Sequence, residues 1–175
     1  MTDEVFIPDY LIHSILEIEP EDLIRLGVKL VAVDADNTLV YDNTIDFIDG
    51  AKEWVDKIRN SGLEIAVVSN ASPNRAKKIS RHLGIKTYGA SFKPSPRGII
   101  KAARDFGVSV NETVMIGDQI SSDIVAANRS GAISIKTDKI ANEIRFKKLY
   151  ERRRRKEAAV MNEILKTKEY GFNDK

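Results

Sequence analysis

The strongest constraint on the fold is a series of apolar, β-branched runs that each stop at a polar cluster and precede a helical pattern. The first run, residues 29–34, ends in the carboxylate of Asp34, and a second run, residues 63–69, ends at Ser69. Runs that are apolar at nearly every position are typical of strands buried on both faces. Such strands in alternation with helices predict a parallel sheet covered by helices on both sides.

The rest of the chain continues this alternation. Further strands are predicted at residues 86–90, 113–117 and 132–136, and helices at 48–60, 73–83, 95–106 and 124–129. We therefore expect an α/β fold, a three-layer Rossmann-like parallel sheet with helices on both faces, in a single domain over residues 1–175. A basic C-terminal helix is predicted at about 139–168, because this stretch lacks Pro and Gly and is rich in strong helix formers.

The composition excludes several classes of protein. The chain has no Cys, which rules out disulfides, thiolate catalysis and Cys-based metal sites. Its N-terminus opens with acidic residues and lacks the pattern of a signal peptide, and no segment approaches the ~20 apolar residues of a membrane span. We expect a cytoplasmic protein, with peripheral contact at the inner face of the membrane as an option.

Polar clusters follow the predicted strands at the edge where parallel sheets bind ligands. Asp34 and Asp36 are two positions apart at the end of the first strand, and Asp118 follows another strand. Carboxylates brought together need a cation or a shared proton, and an oxygen-rich site of this kind suits Mg²⁺. The alternative is that these acids only cap turns, where Asp is common.

Four of these clusters resemble, in order and spacing, the motifs of the haloacid dehalogenase superfamily (class III, subfamily A). The matching positions are Asp34-x-Asp36-x-Thr38, Ser69-Asn70, Lys93 and Gly117-Asp118-x-x-x-x-Asp123. The resemblance implies a Mg²⁺-dependent phosphatase, since an acid at Asp36 marks phosphotransfer within this superfamily.

The resemblance also implies a role for each matching residue. Asp34 would be the nucleophile and form an aspartyl phosphate, and Asp36 would act as general acid and then general base. Lys93 would offset charge at the nucleophile and the phosphoryl group. Ser69 and Asn70 would bind phosphoryl oxygens, with Thr38 supporting the loop beside them. Mg²⁺ would be bound by the Asp34 carboxylate, the Asp36 carbonyl and Asp118, with Asp123 in support.

The motif spacing leaves no room for the cap domain that many members of this superfamily carry. Only about ten residues separate Thr38 from the next predicted helix, and Lys93 follows Ser69 by 24 positions. We therefore expect an open site, which suits a bulky or surface-bound substrate.

The chain is more closely similar to the YqeG-like subgroup, which includes phosphatidylglycerophosphate phosphatases. The resemblance runs from about residue 8 to residue 145 and includes the Asp36-Asn37-Thr38-Leu39-Val40, Lys93-Pro94 and Gly117-Asp118-Gln119 segments. Ala35 departs from the larger apolar residue that is usual between the two acids. The resemblance implies a phosphatidylglycerophosphate phosphatase of phospholipid synthesis, with a phospholipid head group as substrate.

The charge distribution leaves other functions open. Residues 145–156 contain eight basic residues and one acid, whereas acids outnumber bases in the rest of the chain. This basic tail could contact an anionic membrane, nucleic acid or only solvent. The alternatives are a phosphatase of a soluble sugar phosphate or nucleotide, and a non-catalytic RNA- or ribosome-binding module. The intact set of acids argues against a non-catalytic binding module, so we do not expect a nucleic-acid partner. The sequence does not specify an oligomeric state.

Overall fold

The architecture is taken from a computed structural model that describes residues 3–140 and 147–172, with backbone alone at 147–154. In these ranges, six strands alternate with six α-helices. The strands are β1 (Tyr10–Ile12), β2 (Leu30–Val33), β3 (Glu64–Val68), β4 (Lys86–Tyr88), β5 (Thr113–Gly117) and β6 (Ile133–Thr137). The helices are α1 (Pro20–Arg25), α2 (Ala51–Asn60), α3 (Pro73–Leu83), α4 (Arg97–Phe106), α5 (Val125–Ser130) and α6 (Lys147–Ile164).

All strand pairs are parallel, and the strand order is β1-β6-β5-β2-β3-β4. The predicted α/β sheet is therefore confirmed, with β2 at its centre. In register, Val33 of β2 lies between Val67 of β3 and Ile116 of β5, so these three strands end at the same level. The chain runs outward from β2 in both directions, which creates a crevice at the carboxyl ends of β2 and β5.

Helices cover both faces of the sheet. On one face, α2 and α3 pack against alternate strand residues such as Val31 and Val33, and the indole of Trp54 donates a 3.0 Å hydrogen bond to the Ile18 carbonyl. On the other face, α4 and α5 pack against Leu30 and Ala32. The alternation of side chains along a strand explains this division into two cores.

The sequence missed β1, which pairs with β6 at the edge of the sheet. It has only three residues, and its Leu11 forms a third small cluster with Ile120, Ile124 and Ile164 near the end of α6. The predicted C-terminal helix corresponds to α6, although residues 141–146 and the side chains of 147–154 lie outside the described residues. Most of the basic tail falls there. Within the described part of the chain, no helix is both long and apolar enough to cross a bilayer.

Candidate functional site

The candidate site lies at the carboxyl ends of β2, β3 and β5. Asp34 directly follows β2, Ser69 directly follows β3, and Asp118 directly follows β5. All three side chains are buried. Because β2 is hydrogen-bonded to both β3 and β5, the strand ends bring together residues that are far apart in sequence.

Lys93 connects the acids of the site. Its Nζ lies 2.7 Å from Asp34 Oδ1 and 2.6 Å from Asp123 Oδ1, and it donates a 2.8 Å hydrogen bond to the Val68 carbonyl. Burial acts to lower the pKa of Lys93, but the carboxylates of Asp123 and Asp34 outweigh it and raise that pKa above its usual range. Lys93 is therefore a permanent cation in contact with Asp34.

Three buried carboxylates converge around this lysine. Oxygens of Asp34, Asp118 and Asp123 lie within 4.8 Å of one another. Burial is the main cause that raises the pKa of Asp34 to about 6, against the opposing effect of Lys93. Burial, together with the charges of Asp123 and Asp34, also raises the pKa of Asp118 well above its usual range. With all three carboxyls ionised, the cluster would have more negative charge than Lys93 alone can balance.

The acid cluster fits a divalent cation. Neither carboxylate oxygen of Asp118 has a hydrogen-bond partner among the described residues, although both are buried. Buried polar atoms in proteins are rarely left in that condition, and carboxylate oxygens are the ligands that Mg²⁺ prefers. The Asp123 carboxylate is already engaged, because Oδ2 accepts the Gln119 N–H at 2.9 Å while Oδ1 faces Lys93.

The glycine before Asp118 makes room for Asp123. A Cβ at Gly117 would lie 2.4 Å from the Asp123 carboxyl carbon, closer than any normal contact. Only glycine at position 117 therefore leaves space for the Asp123 carboxylate next to β5, where it contacts Lys93. This explains physically why the Gly117-Asp118 pair belongs to the motif.

The predicted phosphate-binding residues lie at the same edge of the sheet. Ser69 Oγ accepts a 3.1 Å hydrogen bond from the Ala71 N–H, and the hydroxyl of buried Thr38 has no hydrogen-bond partner within the described residues. The amide of Asn70 braces the next segment, since Oδ1 accepts the Lys93 N–H at 2.8 Å and Nδ2 donates to the Lys93 carbonyl at 3.0 Å. Asn70 therefore positions the backbone of Lys93.

Asp36 differs from the other predicted acids because its carboxylate is paired with Arg75 rather than with Lys93. Its carboxylate is paired with both terminal nitrogens of Arg75, with Nη1 donating to Oδ1 at 2.7 Å, and it also accepts the Asn43 N–H at 2.8 Å. Sequence reasoning missed Arg75. The sequence did indicate that Arg75 has an acidic partner. Arg75 lies three positions after the helix N-cap Ser72, where the helix dipole disfavours a cation unless an acid compensates it.

Comparisons with known proteins show the family to which the chain belongs. Residues 41–131 match the haloacid dehalogenase-like hydrolase family. The probable phosphatase YqeG of Bacillus subtilis is 31% identical over 157 residues, which cover 87% of this chain and 91% of that protein. Phosphatidylglycerophosphate phosphatase 1 of Arabidopsis thaliana is 26% identical over 144 residues, 77% of this chain but only 41% of that longer protein.

Solved structures share the fold. The structure of a predicted phosphoglycolate phosphatase from Haemophilus somnus superposes with a TM-score of 0.55 at 16% identity, covering 63% of this chain and 85% of that one. At this identity the similarity concerns the fold alone.

Proposed function

Because the chain belongs to the haloacid dehalogenase-like hydrolase family and is a phosphatase, we propose that it hydrolyses phosphate monoesters in a Mg²⁺-dependent reaction with Asp34 as the nucleophile. The observation that carries this proposal is the buried ion pair at the nucleophile, in which Lys93 Nζ lies 2.7 Å from Asp34 Oδ1. An ion pair beside a cluster of unbalanced carboxylates is expected where charge develops during a reaction.

The reaction proceeds in two steps. In the first, a carboxylate oxygen of Asp34 attacks phosphorus, the bond to the ester oxygen breaks, and Asp36 donates a proton to that oxygen as it leaves. In the second, water attacks the phosphorus of the aspartyl phosphate while Asp36 accepts its proton, and inorganic phosphate leaves with Asp34 regenerated. In both steps Asp36 transfers the proton from the orientation in which Arg75 holds its carboxylate.

We assign the Asp34 carboxylate, the Asp36 carbonyl and Asp118 as the Mg²⁺ ligands. The unpartnered oxygens of Asp118 support this assignment. Bound Mg²⁺ supplies positive charge that offsets the phosphoryl oxygens. Asp123 supports the site by orienting Lys93.

The phosphoryl group is held by side chains from two strand ends. We assign Ser69, Asn70 and Thr38 to the phosphoryl oxygens. The buried hydroxyl of Thr38 has no hydrogen-bond partner among the described residues, which supports its assignment. Lys93 offsets the charge of the nucleophile and the phosphoryl group together.

For the substrate, we propose phosphatidylglycerophosphate. The activity for which the Arabidopsis relative is named supports this choice. The surface around Phe92 also supports it. Phe92, next in sequence to the catalytic lysine, is 77% exposed and has a φ of +53°, which is unusual for a bulky residue. Arg97 and Lys101 are exposed near it and line the same pocket. An exposed aromatic ring among cations suits the surface of an anionic membrane.

The test is Mg²⁺-dependent phosphate release from phosphatidylglycerophosphate in mixed micelles, measured beside a panel of soluble phosphate monoesters. Asp34→Asn is the control, because it keeps the shape of the side chain but removes the nucleophile. We expect release from the lipid in the wild type alone. Turnover of soluble esters only would retain the mechanism and replace the substrate, whereas equal release by Asp34→Asn would refute Asp34 as nucleophile.

A further inference from the structure

A cavity opens beside Asp118, on the side of the site opposite Arg75. Its volume is about 390 Å³, and it lies between the ends of β5 and β6 and helix α6. The lining residues are Asp118, Ile120, Lys136, Lys139, Glu157, Ala158 and Met161. The wall of the cavity thus contains one predicted metal ligand and two lysines that the reaction described above does not use.

Lys136 is a buried lysine that has no carboxylate partner in the described part of the chain. It is the fourth residue of β6, its side chain is nearly inaccessible, and its Nζ donates a 2.6 Å hydrogen bond to the neutral carbonyl of Thr137. Among the described residues, no carboxylate lies within ion-pair distance of this ammonium group. Burial lowers the pKa of Lys136, against the opposing charges of Asp118 and Asp138. A buried ammonium is costly unless an anion compensates it.

Lys139 also lines this cavity. Its Nζ lies 3.7 Å from Glu157 Oε2, a long ion pair. Glu157 is engaged elsewhere too, because its Oε1 accepts the N–H of Ser121 at 3.2 Å and the hydroxyl of Ser121 at 3.1 Å. Lys139 also lines a second cavity, of about 190 Å³, together with Asn37 and Thr38. The lysine therefore lies between the predicted nucleophile loop and the α6 side of the site.

We propose that this cavity is a subsite for a second anionic group of the substrate, borne on the leaving group and bound by Lys136 and Lys139. The proposal rests on the phosphatase function and deepens it, since it requires a monoester that has a further phosphate or phosphodiester nearby. Glycerophosphate esters with a phosphodiester one glycerol away have this chemistry. A soluble bisphosphate also has a second anionic group. The test distinguishes a lipid head group from a soluble bisphosphate as the source of that anion.

Binding is tested first, with a ligand that cannot be hydrolysed as a monoester. Glycerophosphoglycerol contains the phosphodiester alone and is titrated into the protein by calorimetry. We expect binding to the wild type and at least tenfold weaker binding to Lys136→Met and Lys139→Met, about 1.4 kcal/mol each. Lys166→Met is the matched control, because Lys166 is exposed and its ion-pair partner within the described residues is Glu163. Equal affinity in all four proteins, or no binding to the wild type, overturns the subsite.

Substrate preference is tested second. The ratio of kcat/KM for deacylated phosphatidylglycerophosphate to that for glycerol 3-phosphate should fall at least tenfold in Lys136→Met and be retained in Lys166→Met. An equal loss on both substrates contradicts the subsite. A preference for fructose 1,6-bisphosphate over the deacylated head group identifies a soluble source of the anion. Binding of glycerophosphoglycerol without turnover of any ester would retain the subsite and overturn the proposed function, so the two failures are distinguishable.

Discussion

Arg75 and Asp36 form a two-point ion pair, with Arg75 Nη1 donating to Asp36 Oδ1 at 2.7 Å and Nη2 donating to Oδ2. Both side chains are largely buried, and Nη1 also reaches the Thr44 carbonyl at 3.5 Å. A bidentate pair fixes the plane of the carboxylate as well as its position. Arg75 is thus the residue that places the proposed general acid before substrate arrives.

Arg75→Met should therefore weaken the proton-transfer steps. General acid–base catalysis contributes on the order of 10²–10⁴ in rate, and misplacing Asp36 should remove a part of this, about tenfold or more in kcat for an alkyl phosphate. The loss should be smaller for p-nitrophenyl phosphate, whose leaving oxygen needs no proton. Steady-state kinetics on the two substrates measures the difference.

Arg75→Lys is the matched variant, because it retains the charge but cannot donate from a planar fork. We expect intermediate activity, with the same dependence on the leaving group. Equal losses on both substrates in Arg75→Met would contradict a role in positioning Asp36 and indicate a general structural defect, which thermal unfolding would detect.

Magnesium should stabilise the protein against unfolding as well as support catalysis. Three buried carboxylates repel one another, and a ligand that binds only the folded state adds about 2.7 kcal/mol at a hundredfold excess over Kd. We expect a rise in Tm of the wild type with MgCl₂ and little rise in Asp118→Asn, since Asp118 has the free oxygens. The measurement needs no substrate. An equal Mg²⁺-dependent shift in Asp118→Asn would exclude Asp118 as a ligand.

Local sequence rules were sufficient for the strands that form the centre of the sheet. The runs at β2, β3 and β5 are apolar at almost every position, so burial on both faces could be predicted from the sequence. β1 could not, because three residues provide no pattern and its position depends on pairing with β6 and on the contact between the rings of Tyr10 and Phe172.

For the candidate site too, some residues could be predicted from the sequence and others could not. Asp34, Ser69 and Asp118 could be located because each comes directly after a strand. Arg75 meets Asp36 across 39 positions, and Lys136 and Lys139 meet residues of α6, so no local pattern predicts either contact. Such contacts depend on how helices pack onto the sheet.

The stability of the metal-free protein should fall as pH rises from about 4 to 7 because of Asp34. Its pKa in the folded state is raised from 3.8 to about 6, chiefly by burial. A raised pKa means that the folded state binds the proton more tightly, so this stabilisation is complete below about pH 3.8 and is lost as pH passes 6. The shift corresponds to about 3 kcal/mol.

Urea unfolding of the metal-free protein at several pH values between 4 and 7.5 measures this effect. The control is Asp34→Asn, in which the contribution of this carboxyl is absent, so the difference in free energy of unfolding between the two proteins should change with pH. Asp118, whose pKa is raised in the same direction, remains in both proteins. Parallel curves for the two proteins would show that Asp34 ionises in the folded state as it does in the unfolded chain.

Phe92 should contribute to binding at an anionic lipid surface. Its ring is 77% exposed and next in sequence to the buried Lys93, and burying a side chain of this size contributes about 1.5–3 kcal/mol. Phe92→Ser should therefore reduce cosedimentation with vesicles that contain phosphatidylglycerol about tenfold or more. Ile24→Ser, which removes an exposed apolar side chain of α1, should bind as the wild type does. Equal weakening in both variants would mean that vesicle binding does not involve the rim of the site, and the membrane-facing orientation proposed for Phe92 would be wrong.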